Sequence, residues 1–309
     1  MPFRSSTDRV ALLNIETTYG VAATMAAANA IRLMDSSIEP VADKLERNLD
    51  SPHFGGDPFV LVGKRITLSG TVDVIGSATA GLAAPLGGLY RICGHSEVLT
   101  PATNAVYAPI SLGLPSATID FFMAGIRFRM LGVRGSMSFA FNVKEYAKAT
   151  VQLTGLLVIP QDGEAPASID WAAFSTPAAI ETETWNVQIA GVPVYARQLS
   201  LAQNATLPLI ETSENREVVL TDRKPTGTLQ VVKNDALATW NPWALANAQS
   251  IVVITNAITS TGGRSVSAPI RAQLEYPKPV DIEGVAGFDI AFTAVPSGAG
   301  GDEYSLTFT

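Results

Sequence analysis

The chain has 309 residues, enough for one large domain or two ordinary ones, and its 47% hydrophobic and 16% charged residues describe a folded globular protein rather than a disordered one. Its 21 basic against 28 acidic residues leave a net charge of −7, which disfavours a protein that grips nucleic acid by its phosphates. One cysteine, Cys93, excludes an intrachain disulfide, and no apolar run reaches the roughly 20 residues of a membrane helix.

The opening Met1-Pro2-Phe3-Arg4-Ser5-Ser6-Thr7-Asp8 has no apolar signal core behind it, so a soluble chain made in a cytoplasm is expected. Residues 1–30 are small, apolar and rich in Ala and Thr, and read as an arm that orders against a neighbour. A first strand or irregular edge is expected over 31–47, then a Pro- and Gly-bearing loop over 48–63. Ile66 to Ile75 alternates and is β-branched, which predicts a strand. From Ala78 to Cys93, Leu82, Leu86, Leu89, Tyr90 and Cys93 fall at helical spacing, weakened by Pro85 and the Gly87-Gly88 pair. Ala117 to Met123 and Ile126 to Val133 flank Ala124-Gly125 as a hairpin, with further strands at Met137 to Val143 and Thr150 to Ile159.

Gln161 to Ala179 carries Pro, Ala and Ser and reads as a linker. Later strands are expected at Trp185 to Leu201, Glu217 to Val232, Ile251 to Ile258, Ser267 to Tyr276, Val280 to Val295 and Tyr304 to Phe308. A short helix over Asp235 to Ala248 carries Leu237, Trp240, Trp243 and Leu245, and Pro242 interrupts it. Strands dominate, with one helix in each half and no βαβ rhythm.

The halves echo each other. Gly70-Thr71-Val72-Asp73-Val74-Ile75 matches Gly227-Thr228-Leu229-Gln230-Val231-Val232, and each run precedes its half's helix. Val151-Gln152-Leu153-Thr154-Gly155-Leu156 matches Val280-Asp281-Ile282-Glu283-Gly284-Val285, and each run leads on to a proline, Pro160 and Pro296. Two matches in the same order around a helix point to duplication, which decides architecture.

No constellation for catalysis is visible. His53 sits in the Gly/Pro loop and His95 follows a helix end, and neither has partners at zinc-site spacing. Cys93 lies on an apolar helix face, where packing is its expected role. No nucleophile elbow, P-loop or H-E-x-x-H occurs, and Gly298-Ala299-Gly300-Gly301-Asp302 reads as a turn. Asp43, Glu46 and Asp50 read as charge on a solvated edge, and Trp171, Trp185, Trp240 and Trp243 as core or interface anchors. No enzyme activity, cofactor or metal is expected.

The run Ala11-Leu12-Leu13-Asn14-Ile15-Glu16-Thr17-Thr18-Tyr19-Gly20-Val21-Ala22 resembles the opening of the major tail-tube proteins of long-tailed bacteriophages, where an E-T-x-Y-G-x-A phrase begins the chain. The strand from Lys64 to Ile75, the helix through Leu89-Tyr90 and the run from Tyr146 to Pro160 resemble the same family, so the likeness covers about residues 8–160. The second half joins it mainly through the internal repeat. The resemblance implies a mainly β chain of two tandem tail-tube-like β-sandwich or barrel folds, each with one flanking α-helix. The expected divisions are an arm over 1–30, a first domain over 31–165, a linker over 166–180 and a second domain over 181–309. It implies a virion structural subunit of stacked rings, with a homotrimeric ring of six quasi-equivalent folds, or a homohexamer if each chain is one fold. Implied partners are other copies of the chain, the tape measure protein, the tail terminator, and genomic DNA passing through without specific binding. A receptor-binding or decorating β-sandwich module, or a ring-capping tail terminator, is the alternative.

Two surfaces follow from a tube. The strand faces opposite the apolar positions carry Thr67, Ser69, Thr71 and Asp73, Gln152 and Thr154, Thr226, Thr228 and Gln230, and Asp281 and Glu283. These segments hold no Lys or Arg, which suits a channel wall that does not hold phosphates. The 48–63 loop, with Asn48, Asp50, His53, Phe54, Asp57 and Phe59, is the expected contact between rings.

Overall fold

The computed structural model describes residues 5, 7–47, 50, 54–77, 79–169, 171–233, 240–260, 265–298 and 300–309. Its first half holds β1 (Arg9–Ile15), β2 (Ala30–Ile31), β3 (Met34–Glu46), β4 (Phe59–Asp73), α1 (Gly87–Ile92), β5 (Val98–Thr100), β6 (Asn104–Tyr107), β7 (Ala117–Met123), β8 (Ile126–Asn142), β9 (Lys148–Leu157) and β10 (Gln161–Asp162). The second half holds β11 (Trp185–Ile189), β12 (Val192–Pro193), β13 (Tyr195–Ala202), β14 (Ala205–Thr206), β15 (Leu209–Glu211), β16 (Arg216–Val218), β17 (Asp222–Arg223), β18 (Thr226–Val232), α2 (Pro242–Asn247), β19 (Ile251–Ile258), β20 (Val266–Ser267), β21 (Ile270–Leu274), β22 (Lys278–Ile282), β23 (Val285–Ala294) and β24 (Leu306–Phe308). The chain is mainly β and antiparallel, and 20 of these strands join in one open sheet.

The two halves share one strand order. The first runs β1–β7–β8–β9–β4–β3 and the second β11–β19–β21–β23–β18–β13, antiparallel throughout. The small pairings β1–β2 and β11–β12 also correspond. α1 and α2 follow the equivalent strands β4 and β18. The halves join where the C-terminal end of β8 pairs with β13, Phe139 opposite Leu201 and Phe141 opposite Leu199.

Alternation builds the core. Ile66, Leu68 and Val72 of β4 are fully buried, as are Ala149 and Val151 of β9, Leu229 and Val231 of β18 and Ile290 of β23. Tyr90 and Leu89 of α1 pack into the same cluster, which spans both halves. Burying the Val, Leu and Ile side chains among these supplies about 1.5–3 kcal/mol each.

Several expectations need correction. Residues 9–15 are no loose arm: β1 lies between β7 and β2 with Leu12 and Leu13 buried, so tertiary pairing overrides the small-residue composition. The expected strands 126–133 and 137–143 are one strand, β8, which a bulge between Leu131 and Arg134 carries through. The expected helix from Ala78 to Cys93 shrinks to α1, because Pro85 and the glycines cut it; Gly88 packs so closely on Leu13 that a Cβ there would lie 2.9 Å from its side chain. Leu82 is exposed. Pro242 starts α2 at a position where its missing N–H costs nothing, and the Asn241 side chain caps the helix by accepting from Ala244 N. Leu237 of that expected helix lies outside the described residues. Trp185 to Leu201 is a hairpin rather than one strand, turning at Ala190 and Gly191 with φ of 51° and 80°.

Candidate functional site

The polar residues of the first repeat share one face of the joined sheet. Thr71, Thr150, Ser138, Ala202, Thr226 and Thr293 lie side by side across β4, β9, β8, β13, β18 and β23. The neighbouring row is Asp73, Lys148, Ala140, Ser200, Thr228 and Ala291. Ser69, Gln152 and Ser136 extend it at one end, and Asn142, Gln198, Gln230 and Asp289 at the other. Three strands come from each half, and the β8–β13 junction makes the face continuous. Paired residues on one face touch across strands, so hydroxyls and amides satisfy one another here. The Ser200 and Thr228 hydroxyls are 2.8 Å apart, and Gln230 Nε2 donates to Asp289 Oδ1 at 2.9 Å. Thr67 and Thr154 continue the face toward the start of β4, Thr67 Oγ1 donating to the Glu39 carbonyl.

The short segments suggest a face free of basic residues, and the structure corrects this. Lys148 lies opposite Asp73, and Lys278 opposite Asp289, just outside the runs that the sequence singles out. Arg65, two residues before Thr67, is paired with Asp43 at 3.1 Å. Cations and carboxylates therefore alternate on a mainly neutral surface. Partial burial raises the Asp73 carboxyl pKa against the opposing pull of Lys148 and Arg32.

Asp281 and Glu283 do not belong to this face. In β22, Lys278 shares the face of Asp289, so Asp281 points to the other side, opposite Ala286. Its carboxylate accepts from Gly284 N at 2.6 Å. Glu283 sits in the turn itself with φ of 54° and is held by Arg197, which keeps its carboxyl below the usual range. Val280 to Val285 is thus a strand end and a turn, whereas Val151 to Leu156 is the middle of β9. The strand equivalent to β9 is β23, and Phe292 takes the place of Val151, each opposite the glycine of its half, Gly227 and Gly70.

The expected contact loop becomes a hairpin arm. β3 and β4 run together from Ile38 and Leu68 out to Glu46 and Phe59, so Phe59 and its neighbours to Gly63 are strand rather than loop. Asp50, Phe54 and Asp57 lie in the connection, Phe54 with its ring wholly exposed. Asn48 and His53 lie outside the described residues. Leu45, Phe59, Val60, Leu61 and Val62 are all exposed, and neighbours along a strand face opposite ways, so both faces of the arm carry apolar side chains.

The second half has its own arm, residues 203–225, drawn out between β13 and β18 as the ribbons β14–β17 and β15–β16. Unlike the first, it lies against the first half. Arg134 of β8 donates to Glu217 Oε1 at 2.8 Å and to the Val218 carbonyl at 2.6 Å, and its guanidinium sits 5.1 Å over the Tyr19 ring. The Tyr19 hydroxyl accepts from Val218 N at 2.7 Å. Arg223 reaches the Ile110 carbonyl and the buried Glu303 carboxylate. Val218 is fully buried beneath this clasp.

Glu16 sets the clasp. Its carboxylate, 7% exposed, accepts from Gly20 N, Ser116 Oγ, Thr118 Oγ1 and Gly132 N at 2.7–2.9 Å. Four donors around one carboxylate compensate its burial. They fix the bend that delivers Tyr19 to Gly132, whose φ of +59° and tight contact with the tyrosine admit no side chain. The phrase Glu16-Thr17-Thr18-Tyr19-Gly20 is legible as a motif, but only the fold shows that it holds an arm.

His95 and Cys93 lie in the core rather than on these surfaces. Burial pushes the Cys93 thiol pKa up and lowers that of His95 to about 4. Among the described residues no group of three or more His, Cys, Asp or Glu is placed to hold a metal. No helix there is long and apolar enough to cross a membrane. No family model matches this sequence, and no curated protein does.

Proposed function

We propose that this chain is a structural subunit of the tail tube of a long-tailed bacteriophage, stacked in rings around the DNA channel, and not an enzyme. The observation that carries the reading is the polar face shared by β4, β9, β8, β13, β18 and β23. It is wide, built equally from both halves, and made of Thr, Ser, Gln and Asn with cations set opposite carboxylates. Such a wall offers DNA no unbroken row of cations, and phosphate adhesion comes from Lys and Arg. The open sheet has strand edges left to pair, and closure around a ring removes them. The shared strand order supports two tandem copies of one tail-tube-like fold, and hence three chains per ring with six quasi-equivalent folds. Tape measure protein inside the tube and a tail terminator at its end are the partners that this role requires.

Electron microscopy of concentrated purified protein tests the reading. Long hollow tubes with three chains per ring are expected. Isolated particles at every concentration refute it in favour of a decorating or receptor-binding module. Single rings that never stack favour a terminator.

A further inference from the structure

The repeat leaves one contact of each kind unmade. Inside the chain, the end of β8 offers its edge to β13. In the second half, the strand equivalent to β8 is β21 continued by β22, since both lie along β23, with Leu274 opposite Phe292 and Lys278 opposite Asp289. The strand equivalent to β13 is β3, which lies along β4 as β13 lies along β18. Among the described residues β22 pairs only with β23 and β3 only with β4. The chain therefore ends in two complementary edges whose internal counterparts are already joined.

The arms repeat the pattern. The 203–225 arm lies on the first half under the clasp of Arg134. The 38–67 arm springs from the equivalent pair of strands and exposes Leu45, Phe59, Val60, Leu61 and Val62. On β21, Arg271 holds the place that Arg134 holds on β8: Arg134 pairs with Thr154 of β9, and the Arg271 carbonyl accepts from Val295 N just past β23. Among the described residues no arm crosses Arg271, and the charged partner it has there is Asp302 at 3.7 Å.

We infer that a second copy of this chain docks head to tail. The edge at the start of β3 of one copy, with Arg32 and Leu33 just before it, pairs with the β21–β22 strand of the next, and the arm of β3 and β4 lies over that copy's second half beside Arg271. This deepens the ring reading, and rests on it for the number of copies. Contacts of this kind use two different patches, and close into a ring when the rotation divides a full turn. Pro279 stands opposite Phe288, the place of Phe141 in the first half. In that half the odd-numbered residues of β8 bond toward β13, as Val143 N to the Arg197 carbonyl and Gln203 N to the Met137 carbonyl show. Proline brings no N–H to that position, so the ladder between copies is shorter than the internal one and the apolar arm carries more of the contact.

Paired cysteines test the docking. Ser37 and Glu275 occupy the places of Ala202 and Ser138, a pair whose hydrogen bonds point away from each other, the type with closest side chains. Both are exposed, and the native Cys93 is buried. Oxidising assembled S37C/E275C is expected to convert most of the monomer band to closed trimers, whereas mixing the two single variants yields dimers at most. A monomer band unchanged in intact tubes overturns the docking and keeps the tube reading. Closed trimers from protein that never forms tubes keep the docking and overturn the tube. Neither species overturns both. V60D/V62D, on the exposed arm, is expected to leave circular dichroism and Tm unchanged while raising the concentration needed for assembly at least tenfold; assembly at the wild-type concentration overturns the arm's role.

Discussion

His95 makes the fold acid-sensitive, by an amount that its surroundings set. The ring is 1% exposed, with Nδ1 2.9 Å from the Tyr90 carbonyl and Nε2 2.9 Å from the Tyr304 hydroxyl. A carbonyl only accepts, so Nδ1 carries the proton and Nε2 accepts from Tyr304. Protonating Nε2 puts a charge among Tyr90, Phe139 and Tyr304 with Arg223 nearby, and desolvation drops the pKa from 6.5 to about 4. The unfolded chain therefore binds the extra proton between pH 6.5 and 4 and the folded chain does not. Stability rises with pH through that window, is complete above it, and the full span corresponds to about 3 kcal/mol. Between pH 7 and pH 5 the expected loss is about 2 kcal/mol. Urea unfolding followed by tryptophan fluorescence, at both pH values, on wild type and His95→Gln measures it. Carboxylates that titrate in the same range are common to both proteins and cancel in the difference. His95→Gln is less stable at pH 7 but loses about 2 kcal/mol less on going to pH 5. Equal losses in the two proteins refute a neutral buried histidine.

Glu16→Ala strands two backbone N–H groups and two hydroxyls and is expected to cost about 3 kcal/mol, read as a lower denaturant midpoint. Tyr19→Phe leaves Val218 N without its acceptor; a loss of about 1 kcal/mol is expected, with faster proteolysis inside 203–225 and unchanged cleavage elsewhere. Gly132→Ala combines a left-handed backbone with a Cβ 2.6 Å from the Tyr19 hydroxyl, and a drop of about 2–4 kcal/mol is expected by the same unfolding measurement. Thr150→Lys with Thr228→Lys adds two cations to the polar face at exposed positions; tubes are expected to assemble normally and to slow DNA ejection, and ejection at the wild-type rate counts against this face as the channel wall.

Strands whose pattern is local were legible in the sequence. β4 alternates cleanly because one face meets the core and the other meets polar neighbours, and the β7–β8 hairpin announces itself through Ala124-Gly125, whose φ values of 52° and 82° suit a tight primed turn. β1 was not legible. Its run Ala11-Leu12-Leu13 is buried among β2, β7 and α1, so it lacks the alternation of a strand with one wet face. The arms were half legible: proline and glycine around 48–63 mark a chain reversal, but the strand pairing from Glu46 and Phe59 inward depends on partners that no local pattern records.

The repeat shows where sequence phrases stop being a guide. Gly70 and Gly227 match in sequence and in place, opposite Val151 and Phe292 of the neighbouring strand; a Cβ on Gly227 runs into the Ser200 carbonyl and the Phe292 ring, whereas one on Gly70 meets only ordinary contacts, the nearest being the Met34 carbonyl at 3.4 Å. Gly155 and Gly284 match in sequence for unrelated reasons. Gly155 is pressed against Val133 and the Leu131 carbonyl in mid-strand, whereas Gly284 stands in open space with φ of 87° and serves only the turn. A glycine constrained by packing and one chosen for its backbone are written with the same letter. Register separates them: β9 and β23 each pair with the strand that precedes their half's helix, and that shared neighbour, not the phrase G-φ, makes the halves equivalent. The same test assigns Asp73 to the polar face and removes Asp281 and Glu283 from it, so that face is defined by rows of cross-strand partners rather than by composition.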